Sequence, residues 1–355
     1  MSRKRRTGNP DWKGELQRLL NANNERHALR GKVVSHSTQH SRAHGLFRVF
    51  RLLREAGFLA GPTSLGGRHI EFLVRYWTAD PAIEEGLRTR ASKLALRKTP
   101  FSAAYIQQQL SFLRALAEWT GKPGLVLPAR HYVDDPALVS RASNATRDRS
   151  WSGANIDSAK VVDDVTKVDP VVGLQLEVLL AFGLRRKEAI MFSPALAVVP
   201  AHALPAGVDA LEYLAFLRIK RGTKGGRLRF TAIRNDVQRE VLARALAVAP
   251  RPGMHIGRPG LSLKQALARF SNVMQQCGVT RKVLGVTAHG LRHDFAADLY
   301  YELAQVPAPI KGGVPGASSE VMTAAYLEVA RQLGHGRARV TGAYLGTRAA
   351  SAAGR

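Results

Sequence analysis

Cysteine appears once in this chain of 355 residues, as Cys277, so no disulfide can form within it. A single thiol fits a reducing compartment, the cytoplasm, and its helical neighbours make it a packed side chain rather than a nucleophile. Long apolar runs are missing too. Glu177-Val178-Leu179-Leu180-Ala181-Phe182 is soon broken by Arg185, Arg186 and Lys187, far short of a bilayer span. The basic start Met1-Ser2-Arg3-Lys4-Arg5-Arg6 leads into no hydrophobic segment, so a secretory leader is not expected. His27, His36, His40, His44, His131, His202 and His255 show no pairing suited to a metal. Gly225-Gly226 lacks the Gly-Lys-Ser/Thr ending of a nucleotide loop, and no cofactor is expected.

Acidic residues are scarce: 27 Asp and Glu stand against 53 Lys and Arg, for a net charge of +26. That balance implies a polyanionic partner, with nucleic acid favoured over a membrane surface. Neutralising backbone phosphates releases condensed counterions, so such binding should weaken steeply with salt. Charge by itself does not separate a DNA enzyme from an RNA-associated protein.

The pattern of residues divides the chain into four stretches. Residues 1–35 are polar and basic and read as a mobile N-terminal arm. From 36 to 122 the pattern is helical. Leu46, Phe47, Val49, Phe50, Leu52 and Leu53 outline one amphipathic stretch, Ile70, Leu73, Val74 and Trp77 a second, and Tyr105, Ile106, Leu110, Leu113 and Leu116 a third. Arg48, Arg51, Arg54, Arg68 and Arg75 are interleaved with them, as a small helical DNA-binding domain requires. Residues 123–165 lack periodicity and read as an interdomain linker.

From 166 to 355 the pattern is mixed. Val171 to Leu184 reads as a buried helix. Tyr213–Ile219 and Leu228–Ile233 read as strands flanking a glycine-rich turn. Asn235 with Gln238, and Ser262 with Gln265, form capping-box patterns that open two helices. Further helices are expected from about 288 to 304, from 319 to 333, and across Tyr344. The fold class is therefore mainly α with a small antiparallel sheet.

Five separated stretches carry chemistry. Arg185 stands in Gly183-Leu184-Arg185-Arg186-Lys187-Glu188, and Lys224 in Gly222-Thr223-Lys224-Gly225-Gly226. His289-Gly290-Leu291-Arg292-His293 follows, then Leu333-Gly334-His335, and Tyr344 nine residues after His335. Guanidinium groups match two phosphate oxygens at once and stay charged at neutral pH, which suits Arg185 and Arg292 to a developing phosphoryl charge. His289 and Arg292, three apart, share one helix face. Glu188, three after Arg185, can orient that guanidinium. Lys224 sits at the tip of a hairpin that glycines make tight, with Lys220 and Lys187 as weaker alternatives. Each motif alone is common by chance; their order and spacing are not.

In that order these residues resemble the catalytic set of the tyrosine recombinases, the lambda-type integrases, across roughly the C-terminal half of the chain. The resemblance implies a two-domain clamp of an all-helical core-binding domain and a mixed α+β catalytic domain spanning 166–355. It implies that Tyr344 attacks a DNA phosphate to leave a 3′-phosphotyrosyl link, without metal or ATP. Lys224 then takes the family's general-acid place, and His335 supports the phosphate. A phenol titrates near ~10 in model peptides, so Tyr344 needs cationic neighbours and a base to attack. Integration or excision of a mobile element follows, by a homotetramer on paired double-stranded DNA sites in the bacterial cytoplasm, with accessory DNA-bending or directionality factors as further partners.

The rivals are a type IB topoisomerase-like relaxing enzyme and a catalytically inactive DNA-binding regulator. One departure stands out: Val306–Gly316 lengthens the gap between Arg292 and His335 beyond the family's usual spacing. Eleven residues follow Tyr344 (355 − 344), too few for a long helix swapped onto a neighbour.

Overall fold

A computed structural model describes residues 11–27, 32–90, 92–141, 144–313, 316–335 and 337–347. The chain forms two compact units, Met1–Arg141 and Ala142–Arg355. Helices dominate both, and the only sheet among the described residues has three short strands.

The first unit contains α1 (Trp12–Asn23), α2 (His36–Glu55), α3 (Gly67–Trp77), α4 (Glu84–Thr89) and α5 (Ala103–Trp119). The three expected stripes supply its core: Leu46, Phe50 and Leu53 of α2, Ile70, Leu73 and Trp77 of α3, and Ile106, Leu110 and Leu113 of α5 are all buried. Ser35 and Ser102 accept hydrogen bonds from Thr38 N and Tyr105 N, which satisfies free amides at the starts of α2 and α5. Arg48, Arg51 and Arg68 are exposed, whereas Arg75 is tied to Glu71 and Asp80.

Part of the expected N-terminal arm is instead a helix. Asp11 caps α1, Leu16 and Leu20 are buried, and the Trp12 ring lies 5.9 Å from that of Phe50. An apolar pair four apart, backed by an aromatic, is enough to dock a helix that polar neighbours disguise. Residues 1–10 and 28–31 of that stretch lie outside the described residues.

The second unit runs α6 (Ser158–Val168), α7 (Pro170–Phe182), α8 (Arg186–Ile190), β1 (Val198–Pro200), β2 (Ala215–Ile219), β3 (Arg229–Ala232), α9 (Asp236–Val248), α10 (Leu263–Gln276), α11 (Gly290–Ala304), α12 (Ser319–Gln332) and α13 (Gly342–Leu345). Helix α6 begins inside the stretch 123–165 expected as a linker and runs three residues past its end. Val162 and Val165 pack inward while Asp163, Asp164 and Lys167 face solvent and hide the periodicity.

Helix α7 is apolar on all sides, as a central helix must be, with Val172, Leu176, Leu179 and Phe182 buried. Its N-cap Asp169 accepts from Val171 N and Val172 N and is paired with Arg269 at 2.5 Å. The strands are antiparallel in the order β1-β2-β3, with Leu217 opposite both Val198 and Thr231. Ser262 and Gln265 close the full capping box at α10. Asn235 caps α9, but Gln238 turns its side-chain oxygen to Arg234 N instead.

Candidate active site

Four segments of the second unit converge on Tyr344. Helix α7 ends at Gly183, whose φ of +57° reverses the chain into Leu184 and Arg185. A Cβ there would sit 2.4 Å from the Phe295 ring, so the turn and the close packing on α11 both require glycine. Arg185 then caps α8 through Glu188, three residues on: Glu188 accepts from the Arg185 backbone N at 2.9 Å and from its Nη1 at 2.6 Å. Helix α11 places His289 at its N-cap and Arg292 in its first turn. At the end of α12, Gly334 (φ +68°) turns the chain so that His335 N bonds back to Ala330 O at 2.8 Å. The single turn α13 carries Tyr344, buried among Phe295, Leu299, Val329 and Leu333.

Arg292 is fully buried and organises the cluster. Its Nε donates to the Tyr344 hydroxyl at 3.2 Å, its Nη1 to Gly183 O, and its Nη2 to Leu333 O at 2.6 Å. His289 Nε2 lies 3.2 Å from the same hydroxyl. Arginine can only donate, so the hydroxyl accepts from Arg292, and its own proton is free to point at an unprotonated His289 Nε2. His335 Nε2 faces Arg292 Nη2 at 3.5 Å and must accept there, which leaves Nδ1–H to donate to Thr341 Oγ1 at 3.0 Å.

Electrostatics matches this hydrogen-bond logic. Burial, reinforced by Arg292 and Arg185, pulls His289 down to about 4 and His335 to about 3, so both imidazoles are neutral at pH 7. His293, packed on the Tyr344 ring at 4.5 Å between centroids, is pulled to about 4, by burial first and then by His289. Burial lowers Arg292 to about 10, which still leaves it charged. Burial opposes the charge on Glu188, but Arg229, Arg292 and Arg185 together outweigh it and hold the carboxyl at about 2.

Arg185, Glu188, His289, Arg292, His335 and Tyr344 thus come together. Lys224 does not. It is exposed on the β2–β3 turn, and among the described residues no hydrogen bond or ion pair joins it to this cluster. Sequence reading gave no role to Arg229, a charged residue on the wholly buried strand β3, paired with Glu188 at 2.9 Å. A cation on a short strand between apolar neighbours was the available signal. His293 and Asp294 were passed over likewise. The Asp294 carboxylate accepts from Trp151 N and Ser152 N and pins residues 151–152 beside α11.

A cavity of about 150 Å³ opens beside His289, lined in part by Arg147, Arg149, Arg281 and His293. Among the described residues no group of His, Cys, Asp and Glu is arranged to hold a metal. A phenol hydrogen-bonded at once to a guanidinium and a neutral imidazole, within a buried excess of positive charge, is equipped for nucleophilic attack on an anionic centre.

The integrase family model matches residues 139–298. No curated protein matches the chain. Among solved structures, a lambda integrase dimer bound to a COC′ core site is 16% identical, with 95% of this chain and 94% of that one covered at a TM-score of 0.50. The Tn1549 transposon integrase with transposon right-end DNA is 15% identical, covering 95% and 97% at 0.48. The XerH site-specific recombinase bound to a palindromic difH substrate is 16% identical, covering 84% and 72% at 0.45. The lambda integrase likeness is one of fold. Residues 139–298 are thus similar to the integrase family, and the likeness of fold to the lambda integrase runs beyond them.

Proposed function

We propose that this protein is a site-specific DNA recombinase that cuts and rejoins strands through a 3′-phosphotyrosyl intermediate and integrates or excises a mobile element. The observation that carries this reading is the Tyr344 hydroxyl, held 3.2 Å from both Arg292 Nε and His289 Nε2. In the reaction, Tyr344 Oη bonds to the scissile phosphorus and its proton passes to His289 Nε2. Arg185 and Arg292 stabilise the phosphoryl oxygens, with His335 as a further contact. The bond to the 5′ oxygen breaks, and Lys224, carried in by the hairpin turn, protonates that oxygen. One phosphodiester replaces another, so a second 5′ hydroxyl can reverse the step without ATP or a divalent ion.

Double-stranded DNA is the partner, and strand exchange between two sites calls for several protomers, in our reading a homotetramer. DNA-bending or directionality factors would assist at accessory sequence. The same reading puts its work in the bacterial cytoplasm, on the nucleoid. A duplex nicked near the crossover point tests it. Wild type should trap a covalent adduct in EDTA, and Tyr344→Phe should bind the duplex without trapping. An adduct through another residue, or one formed only with magnesium, would overturn the proposal.

A further inference from the structure

Arg229 is a guanidinium side chain with almost no solvent exposure, on a strand the reaction above does not use; burial disfavours its charge and Glu188 supports it. Its Nη2 donates to Glu188 Oε2 at 2.9 Å, its Nη1 to Thr231 Oγ1 at 2.7 Å and to Gln332 O. The same Glu188 oxygen lies 3.9 Å from Arg292 Nη1, while the other holds Arg185. One buried carboxylate therefore faces three guanidinium groups. The stem of Arg229 also lies against the turn that delivers His335: a Cβ on Gly334 would meet Arg229 Cδ at 2.6 Å. A neutral side chain could fill this space and serve these carbonyls without the desolvation cost of a buried cation.

The charge has a use that packing does not. With Glu188 set against Arg185 and Arg292 alone, the cluster would carry one net positive charge. A phosphodiester carries one negative charge, and a second develops as the phenol oxygen adds. In a water-poor site such an imbalance is felt at nearly full strength. We propose that Arg229 is a positioning residue for phosphoryl transfer, which cancels the charge of Glu188 and leaves both Arg185 and Arg292 uncompensated toward the phosphate. The inference rests on Tyr344 being the nucleophile.

The test is single-turnover cleavage of the nicked duplex at saturating protein, with duplex affinity measured in parallel. Arg229→Gln should slow cleavage roughly a hundredfold, the scale of losing a preorganised charge at a reacting centre, with affinity within about threefold of wild type. Arg229→Gln combined with Glu188→Gln should recover at least about tenfold of that loss, since no carboxylate remains to be cancelled. A merely structural role predicts that the double variant is as slow as the single one or slower, and that result overturns the proposal, as would wild-type cleavage by Arg229→Gln.

If Arg229→Gln does not fold, Arg229→Lys replaces it. Charge retained without the fork should leave cleavage within about tenfold of wild type. A folded Arg229→Lys slowed a thousandfold, or failure of both variants to fold, assigns the residue to the scaffold and ends the idea. Absence of a Tyr344 adduct in wild type would instead sink the functional reading, so the two failures are told apart.

Discussion

Arg292 does several things at once, and a lysine cannot copy them. A single ammonium cannot meet the Tyr344 hydroxyl, Gly183 O and Leu333 O together, since these lie around a planar fork. Arg292→Lys should therefore lose about a hundredfold to a thousandfold in cleavage rate, read from adduct formation on the nicked duplex. The histidines make a second, separable prediction. His289 at about 4 and His335 at about 3 are neutral across the ordinary range of pH. Cleavage by the free enzyme should then hold level as pH falls from 8 through 6.5 and decline only toward about 4. An acid limb near 6.5 would show that His289 is solvated rather than shielded. Stability follows the same sign. Below the ordinary histidine value of 6.5 the unfolded chain takes up protons that His289, His293 and His335 refuse in the fold. Glu188, held at about 2 against an ordinary 4.5, adds to the loss below that point. Urea midpoints should fall steadily from pH 7 to pH 4, with no gain at any step.

The elements that sequence reveals here are those whose apolar period is long. Helices α2, α3, α5 and α7 stand out for that reason, as do strands β2 and β3, each expected two residues longer than found. What escaped is short or disguised: β1 spans three residues, α1 buries only two leucines, and α6 wears charge on its outer face. The site was legible because its motifs are local, a guanidinium after a glycine turn or a His-x-x-Arg on one helix start. Arg229 was not, because its partner is forty-one residues away in sequence and only folding brings them together. The inserted stretch after α11 illustrates the same limit. Pro309–Lys311 forms a short turn, Ala308 is buried, and Ile310 packs with Tyr344 and Leu345. Lys311 Nζ also bonds Ser152 Oγ at 2.7 Å. A four-residue helix such as α13 has no stability of its own, so it depends on its neighbours, this loop among them. Ile310→Asp should free that turn and slow cleavage more than about tenfold, while duplex affinity changes less than about twofold. Equal losses in both would mean that the loop serves binding instead. Gly183→Ala tests the opposite end of the site. With φ at +57° and Phe295 in the way, it should cost on the order of 1–3 kcal/mol in urea unfolding.

The charge of the whole chain governs encounter, and the buried cluster governs chemistry, so the two should respond differently to salt. An excess of +26 is spread over exposed side chains such as Arg48, Arg51 and Arg68, where ions screen it readily. Arg292 and Arg229 are buried, where mobile ions screen them weakly. Raising salt from 50 to 200 mM should therefore weaken duplex binding by about a thousandfold or more if at least six phosphates are neutralised. The cleavage rate of duplex already bound, measured at saturating protein, should move less than about twofold over the same range. A plot of log affinity against log salt gives the number of phosphates engaged, since each contributes a slope near −0.9. If the bound complex slowed in step with affinity, the reacting charges would have to lie in solvent, and the sealed arrangement around Tyr344 would not be the one that performs the reaction.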